Sequence, residues 1–248
     1  MTASLIVLMF AAAFFSGAVN AIAGGGTFLT FGVMTLAGVP PISANATSSI
    51  VQFPGYVTST LAYFRDLSKI WKEALVQGLI SVAGSTGGAL YLVWLSDNTF
   101  KAMVPWLLLA ATVVFAAGPW LKPRSGGERH AVNPLGIITQ MFTSFYGGFF
   151  GAGMGIMMLA SLGIATGGDY HRLNALKNFL AIIIATVAII VFSAAGAVSW
   201  PHAAVMVPGC ALGGYAGVAA ARRVPQNVLR WIVIAAGLGL SVYYFVTG

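Results

Sequence analysis

The stretch that decides the fold is Gly17–Leu29, which reads GAVNAIAGGGTFL and in which three consecutive glycines interrupt an apolar run. A second interruption, GAGMG, stands at residues 151–155. Apolar sequence continues on both sides of each glycine cluster. The two clusters therefore predict helices that break inside an apolar environment rather than ordinary surface turns.

Composition identifies that environment as a lipid bilayer. Of the 248 residues, 58% are hydrophobic and 7% are charged, against about 45–50% apolar and about 25% charged in an average soluble domain. Because a spanning helix takes about 20 residues, the chain holds about ten segments and has no room for a soluble catalytic domain. We assign the net charge of +7 to cytoplasmic loops rather than to nucleic-acid binding.

Charged and turn residues divide the chain into ten apolar segments. They run at about 3–22, 25–39, 43–64, 72–95, 100–121, 132–151, 153–167, 172–195, 202–221 and 227–247. The second and seventh are too short to cross a core of roughly 30 Å upright, since about 15 residues reach only about 22 Å. We interpret the first as a membrane segment and not a signal peptide, because no Lys or Arg precedes it.

The chain also contains an internal repeat. A gapless shift of 129 residues superposes glycines, asparagines and tryptophans, whereas chance identities in apolar sequence would mostly be Ala, Val or Leu. The pairs are Gly24 with Gly153, Gly26 with Gly155, Gly38 with Gly167, Asn45 with Asn174, Trp71 with Trp200, Gly84 with Gly213, Gly88 with Gly217 and Asn98 with Asn227. We therefore predict an all-α polytopic membrane protein of about ten segments, built as two repeats of five with broken or re-entrant short helices at the glycine clusters.

Loop charges predict that the two repeats are inverted relative to each other. The predicted units are a first membrane repeat at 1–121, a basic cytoplasmic linker at 122–131 and a second membrane repeat at 132–248. The loop at 65–72 is basic, but its counterpart at 194–201 has no Lys or Arg; the loop at 222–230 carries three arginines instead. Such inverted repeats are typical of secondary transporters. Both termini then lie outside, with a re-entrant pair of the first two segments as the alternative.

The glycine clusters predict a substrate site. Broken backbone is tolerated in a membrane only within protein or beside a watery cavity, and paired broken segments point to a transporter site. Free backbone N–H groups and helix N-termini favour an anion there; the alternative is a simple packing kink. The candidate residues are Asn20, Gly24, Gly25, Gly26, Thr27, Gly151, Gly153 and Gly155. Other glycines are predicted to let helices pack closely, namely Gly84, Gly87, Gly88, Gly213, Gly214 and Gly217.

The third segment of each repeat adds polar side chains. In the first repeat these are Asn45, Ser48, Ser49 and Gln52; in the second they are Asn174, Lys177 and Asn178. Their spacings of three or four residues place them on one helix face, which in a membrane points toward the bundle or a cavity. The alternative is hydrogen bonding between helices alone. Lys177 lies inside an apolar segment, so it either contacts an anion or extends to the cytoplasmic surface.

Catalytic and metal chemistry are disfavoured. The acidic residues Asp66, Glu73, Asp97, Glu128 and Asp169 all stand in loops or at segment ends, leaving no carboxylate in mid-segment for a proton or sodium relay. No HExxH, GxSxG or paired-carboxylate motif is present. The single cysteine, Cys210, cannot form an intramolecular disulfide or a multi-cysteine metal site. We expect no metal and no cofactor.

The motifs resemble those of the sulfite exporter TauE/SafE family of membrane permeases. The run Gly17–Leu29 is followed by GVPPISANAT at 38–47, and the second repeat carries Gly-x-Gly and NALKN at 174–178. The likeness extends over the whole chain. It implies transport of sulfur-containing anions, such as sulfite or small organosulfonates, across the bacterial inner membrane.

The sequence thus predicts a multi-pass transporter, and not an enzyme, that moves a small sulfur-containing oxyanion. Export driven by the membrane potential is expected. The alternatives are a membrane-embedded enzyme and a non-transporting subunit of a membrane complex. Expected partners are a small anionic substrate, the lipid bilayer and, as an open option, a second copy in a homodimer, with no nucleic acid. The sequence leaves open which sulfur anion moves, in which direction, and with which coupling ion.

Overall fold

The computed structural model describes residues 2–22, 25–117, 134–166, 170–220 and 226–247. These residues form helices without any strand, as predicted. The helices are α1 Ala3–Ile22, α2 Thr27–Leu36, α3 Pro41–Ala62, α4 Phe64–Lys69, α5 Trp71–Trp94, α6 Asp97–Ala117, α7 Pro134–Phe149, α8 Met154–Thr166, α9 Tyr170–Ala194, α10 Trp200–Ala220 and α11 Gln226–Thr247. The predicted linker at 122–131 lies outside the described residues.

Ten of these helices match the ten predicted segments, and the short helix α4 is an addition. It forms in the basic loop that we predicted after the third segment. Asp66 lies in its first turn and Lys69 in its last, which suits the helix dipole. Their side chains also form an exposed ion pair at 3.5 Å. Six residues of mixed charge gave no helical signal of their own in the sequence.

The internal repeat reappears in the positions of the helices. Trp71 and Trp200 begin equivalent helices and lie 129 residues apart. Packing is reciprocal as well: α1 packs on α10 as α7 packs on α5, while α3 crosses α9 and α6 pairs with α11. The first helix of each repeat is therefore held by the other repeat. The inversion of the repeats across the membrane stays a prediction.

The helices that follow the glycine clusters are short and preceded by breaks, as predicted. Helix α2 has 10 residues and α8 has 13, so they reach about 15 and 20 Å. The breaks contain Gly25 at φ 94°, Gly151 at φ 73° and Gly153 at φ 76°. Side chains with a Cβ rarely adopt such angles. Gly24 lies outside the described residues.

Three of the glycines predicted to allow close helix packing do so, namely Gly84, Gly88 and Gly213. A Cβ on Gly88 would overlap the carbonyl oxygen of Phe145, and one on Gly213 would overlap that of Phe14. Gly84 lies similarly close to α7. Gly87 is looser, since its Cβ would stand 3.5 Å from the Phe145 ring. These contacts hold α5 against α7 and α10 against α1.

The helices have the surface of a membrane protein. By length and apolar composition alone, three helical stretches among the described residues could cross a bilayer: Ala3–Asn20, Trp71–Trp94 and Arg172–Ala194. Large apolar side chains point outward, including Trp94 at 81% and Trp106 at 64% exposure. Water would not favour so many exposed rings, whereas lipid does. The prediction of an all-α polytopic membrane protein is confirmed.

Candidate functional site

A cleft between the two repeats brings together the polar helix α3, the start of α2 and the α7–α8 break. The space between its lining atoms amounts to about 280 Å³, and part of it is open to the outside. Its lining residues are Thr27, Ser48, Ser49, Gln52, Tyr56, Gly147, Gly151, Met154, Ile184 and Ala185. The walls therefore come from α2, α3, the α7–α8 break and α9. Five of the ten were predicted as site residues.

Helix α3 supplies the polar wall. Ser48, Ser49 and Gln52 line the cleft, as their helical spacing predicted. Tyr56 continues the same face one helical step beyond Gln52 and was missed by the sequence analysis. The side chains of Thr27 and Asn20 lie near its hydroxyl. Extending the spacing of the polar residues by four would have identified it.

Three side-chain polar atoms on α3 are buried without a hydrogen-bond partner, namely the Asn45 Oδ1, the Ser48 Oγ and the Thr60 Oγ1. Ser48 is 0% exposed and its Oγ has no partner, and the same is true of Oδ1 of Asn45 at 2% exposure. The Asn45 Nδ2 donates to the carbonyl oxygen of Phe149 at 2.9 Å, which links α3 to the end of α7. An unpaired buried polar group costs about 1–3 kcal/mol. Ser48 is also one of the residues that surround the cleft.

A hydrogen-bonded network fixes the wall behind Gln52. Its Nε2 donates to the Ser16 Oγ and, at 3.5 Å, to the Thr30 Oγ1. The Cys210 thiol donates to the Gln52 Oε1 at 3.7 Å. The network thus joins α1, α2, α3 and α10. Ser16, Thr30 and Cys210 carried no signal in the sequence, because each is an isolated polar residue in an apolar segment.

The first break is held against α1. The Ser16 Oγ donates to the carbonyl oxygen of Gly26 at 2.6 Å, and a Cβ on Gly26 would overlap the Ser16 carbonyl. Thr27, directly after it, is buried and lines the cleft. Asn20 is half-buried, with its Nδ2 close to Gly55. Neither Asn20 nor Gly25 nor Gly26 lines the cleft itself.

The second break places only part of its predicted residues at the cleft. Gly151 lines it, whereas Gly153 faces Ala111, whose Cβ would lie 3.2 Å from an added Cβ. Gly155 faces Lys177 instead: a Cβ on Gly155 would stand 3.8 Å from the Lys177 Cδ. The predicted residues of α9 also lie apart from the cleft lining. These are Asn174, Lys177 and Asn178.

The cleft is lined by neutral side chains. Its hydroxyl and amide groups can donate hydrogen bonds to a small solute. Among the described residues, no group of three or more His, Cys, Asp or Glu side chains could hold a metal ion. The ion pair of Arg172 with Glu73, at 2.5 Å, joins the first turns of α9 and α5 and does not line the cleft. The arrangement is therefore suited to reversible binding.

Comparison with known proteins gives a consistent result. The family model described as Sulfite exporter TauE/SafE matches residues 9–244. The chain is 30% identical to a protein of Sinorhizobium sp. named probable membrane transporter protein ORF9, over 96% of this chain and 91% of that protein. It is 26% identical to a probable membrane transporter protein of Haemophilus influenzae, covering 93% and 90% respectively. The probable membrane transporter protein YfcA of Escherichia coli K12 is 24% identical, covering 96% and 88%.

Proposed function

Since the chain belongs to the sulfite exporter TauE/SafE family and is a membrane transporter, we propose that it exports a small sulfur-containing oxyanion across the bacterial inner membrane. Sulfite or a small organosulfonate is the proposed substrate, and the cleft between the repeats is its proposed binding site. The substrate lies against the polar face of α3, between the two broken helices.

The unpaired Ser48 hydroxyl at the cleft is the observation that carries this proposal. Ser49, Thr27 and Tyr56 bring further hydroxyl groups to the same cleft. Oxyanions accept several hydrogen bonds, and bonds to a charged acceptor are about twice as strong as neutral ones. A neutral lining holds an anion by these bonds alone, so release does not require breaking an ion pair. Such binding suits a carrier that must release its substrate at every cycle.

The membrane potential can drive the export. Described acidic residues lie at helix ends or in a short loop helix, as Glu73 and Asp97 in first turns illustrate. We therefore propose that no proton carrier is needed. The potential contributes about 2.3 kcal/mol per charge per 100 mV, so a divalent anion gains about twice that on leaving. Since about 1.4 kcal/mol is one factor of ten, this supports roughly a thousandfold gradient.

A liposome flux assay tests both substrate and driving force. Purified protein is reconstituted, labelled sulfite is loaded, and membrane potential and pH gradient are clamped separately, with protein-free liposomes as the control. Sulfite flux should follow the potential at constant pH. Flux that ignores the potential and follows the pH gradient would contradict this mechanism. Attention would then turn to His202, whose Nδ1 lies 2.6 Å from the Ser199 Oγ, or to His171.

A further inference from the structure

We propose that Lys177 forms a second anion-binding station, separate from the cleft and nearer to the start of α9. This inference rests on the proposed function, because it concerns the path of the same oxyanion. The anion binds first to this station, on the basic side of the protein, and then moves to the neutral cleft.

The position of Lys177 on α9 places it in line with the cleft. Ile184 and Ala185 line the cleft, and Ile184 lies seven residues after Lys177, which is two turns along the same helix face. Two turns correspond to about 10 Å. The Lys177 side chain also packs against Gly155, the residue after the cleft-lining Met154. An anion that leaves Lys177 can therefore reach the cleft by moving along α8 and α9.

The Lys177 ammonium has the chemistry for an oxyanion. Its side chain is half-buried, and no hydrogen bond or ion pair to Lys177 occurs among the residues that the structure describes. Asn178 next to it is buried at 5% exposure. A cation without a counter-ion among the described residues costs free energy when it lies in a membrane segment. Charged residues in such positions commonly mark the pathways of ions.

The surroundings of the start of α9 favour the approach of anions. Helix α4 packs against α9 and carries Arg65 and Lys69, and Lys72 follows at the start of α5. Among the residues that the structure describes, the carboxylates on this side are Asp66, which pairs with Lys69, and Glu73, which pairs with Arg172. The basic residues exceed the acidic ones there, so they raise the local concentration of anions.

The two proposed binding sites are built on equivalent positions of the two repeats, but with different side chains. The residue 129 before Lys177 is Ser48, the unpaired hydroxyl of the cleft. One repeat thus presents an ammonium where the other presents a hydroxyl. The two ends of the path should therefore bind the same anion with different affinity, and Lys177 should set the affinity on the basic side only.

Transport from each face of the membrane tests this. Right-side-out and inside-out membrane vesicles containing the full-length protein are assayed for the sulfite concentration that gives half-maximal flux. The variants are Lys177→Gln, Lys177→Arg and, as the matched control, Lys72→Gln, which removes an exposed charge on the same side. Thermal unfolding of each variant in detergent checks that the fold is intact.

Lys177→Gln should raise the half-saturating sulfite concentration about tenfold on the face that carries Lys72, equivalent to about 1.4 kcal/mol, and less than about twofold on the other. Lys177→Arg should keep most of the affinity, and Lys72→Gln, which removes one of several exposed charges, should change the half-saturating concentration less than about twofold. An equal change on both faces, or none, would overturn the second station while leaving the proposed function standing. Absence of sulfite flux in the wild type would instead overturn the proposed function, and this inference with it.

Discussion

Replacing Ser48 by alanine is expected to stabilise the protein and weaken transport at the same time. The Ser48 Oγ is fully buried, lacks a hydrogen-bond partner and borders the cleft. Without substrate, the hydroxyl is a cost to the folded state. With substrate bound, the same hydroxyl becomes a donor to the oxyanion. A single substitution therefore separates the structural contribution from the functional one.

The magnitudes follow from the two states. Removing an unsatisfied buried polar group should recover about 1 kcal/mol, the low end of its desolvation cost. For a chain of this length that corresponds to a rise of about 2–4 °C in Tm. A hydrogen bond to a charged group is worth about 1.5–3 kcal/mol. We take the lower value, about 1.5 kcal/mol, because the cleft admits water. Ser48→Ala should therefore raise the sulfite concentration for half-maximal flux about tenfold.

The assay pairs thermal unfolding in detergent with sulfite flux in liposomes over a concentration series. The matched control is Ser193→Ala, since the Ser193 Oγ is also buried without a partner but does not line the cleft. Ser193→Ala should raise Tm and leave half-saturation unchanged. If Ser48→Ala behaves in the same way as Ser193→Ala, the unpaired hydroxyl is a packing defect and the reasoning about the cleft is refuted.

Two further predictions concern the scaffold and are read by thermal unfolding. Gly88→Ala should destabilise the protein by about 3 kcal/mol, the upper range for overpacking, because its Cβ would overlap the Phe145 carbonyl oxygen. The control is Gly87→Ala, where an added Cβ would stand 3.5 Å from the Phe145 ring. This variant should be neutral or slightly stabilising, since alanine is a better helix former than glycine. Equal changes in stability for the two variants would contradict a close contact of α5 with α7 at Gly88. Glu73→Gln should cost about 2 kcal/mol, because it breaks an ion pair whose side chains are each 15% exposed. The control is Asp66→Asn, which breaks the exposed pair with Lys69 and should cost less than about 0.5 kcal/mol. Equal losses of stability in Glu73→Gln and Asp66→Asn would show that the pair of Glu73 with Arg172 stabilises the fold no more than an exposed pair does.

Features that depend on local pattern could be predicted from the sequence. The breaks follow from glycines that adopt positive φ, as at Gly25 and Gly151, and the polar face of α3 follows from helical spacing. The repeat offset also anticipated that Trp71 and Trp200 begin equivalent helices. Each of these is encoded within one segment or by a fixed shift. No knowledge of neighbouring helices is needed to find them.

Features that depend on packing between helices could not be predicted. The bond from Gln52 to Ser16 joins residues 36 positions apart, and neither residue signals its partner. The second repeat has Ala181 and Ala185 where the first has Gln52 and Tyr56. The cleft therefore draws its polar wall from one repeat, and Asn174, Lys177 and Asn178 do not line it. Matching positions in a repeat predicted equivalent placement, but side-chain divergence had made the two halves different.

The packing of α1 on α10 has a consequence for biosynthesis. Gly17 lies directly against the Cys210 carbonyl, yet α1 ends at Ile22 and α10 begins at Trp200. A ribosome adding about 5–20 residues per second needs roughly 10–35 s to make the intervening chain. During that time the small-residue face of α1 meets lipid or the insertion machinery instead of its final partner. Helix α1 thus reaches its native neighbour only after most of the intervening chain has been made.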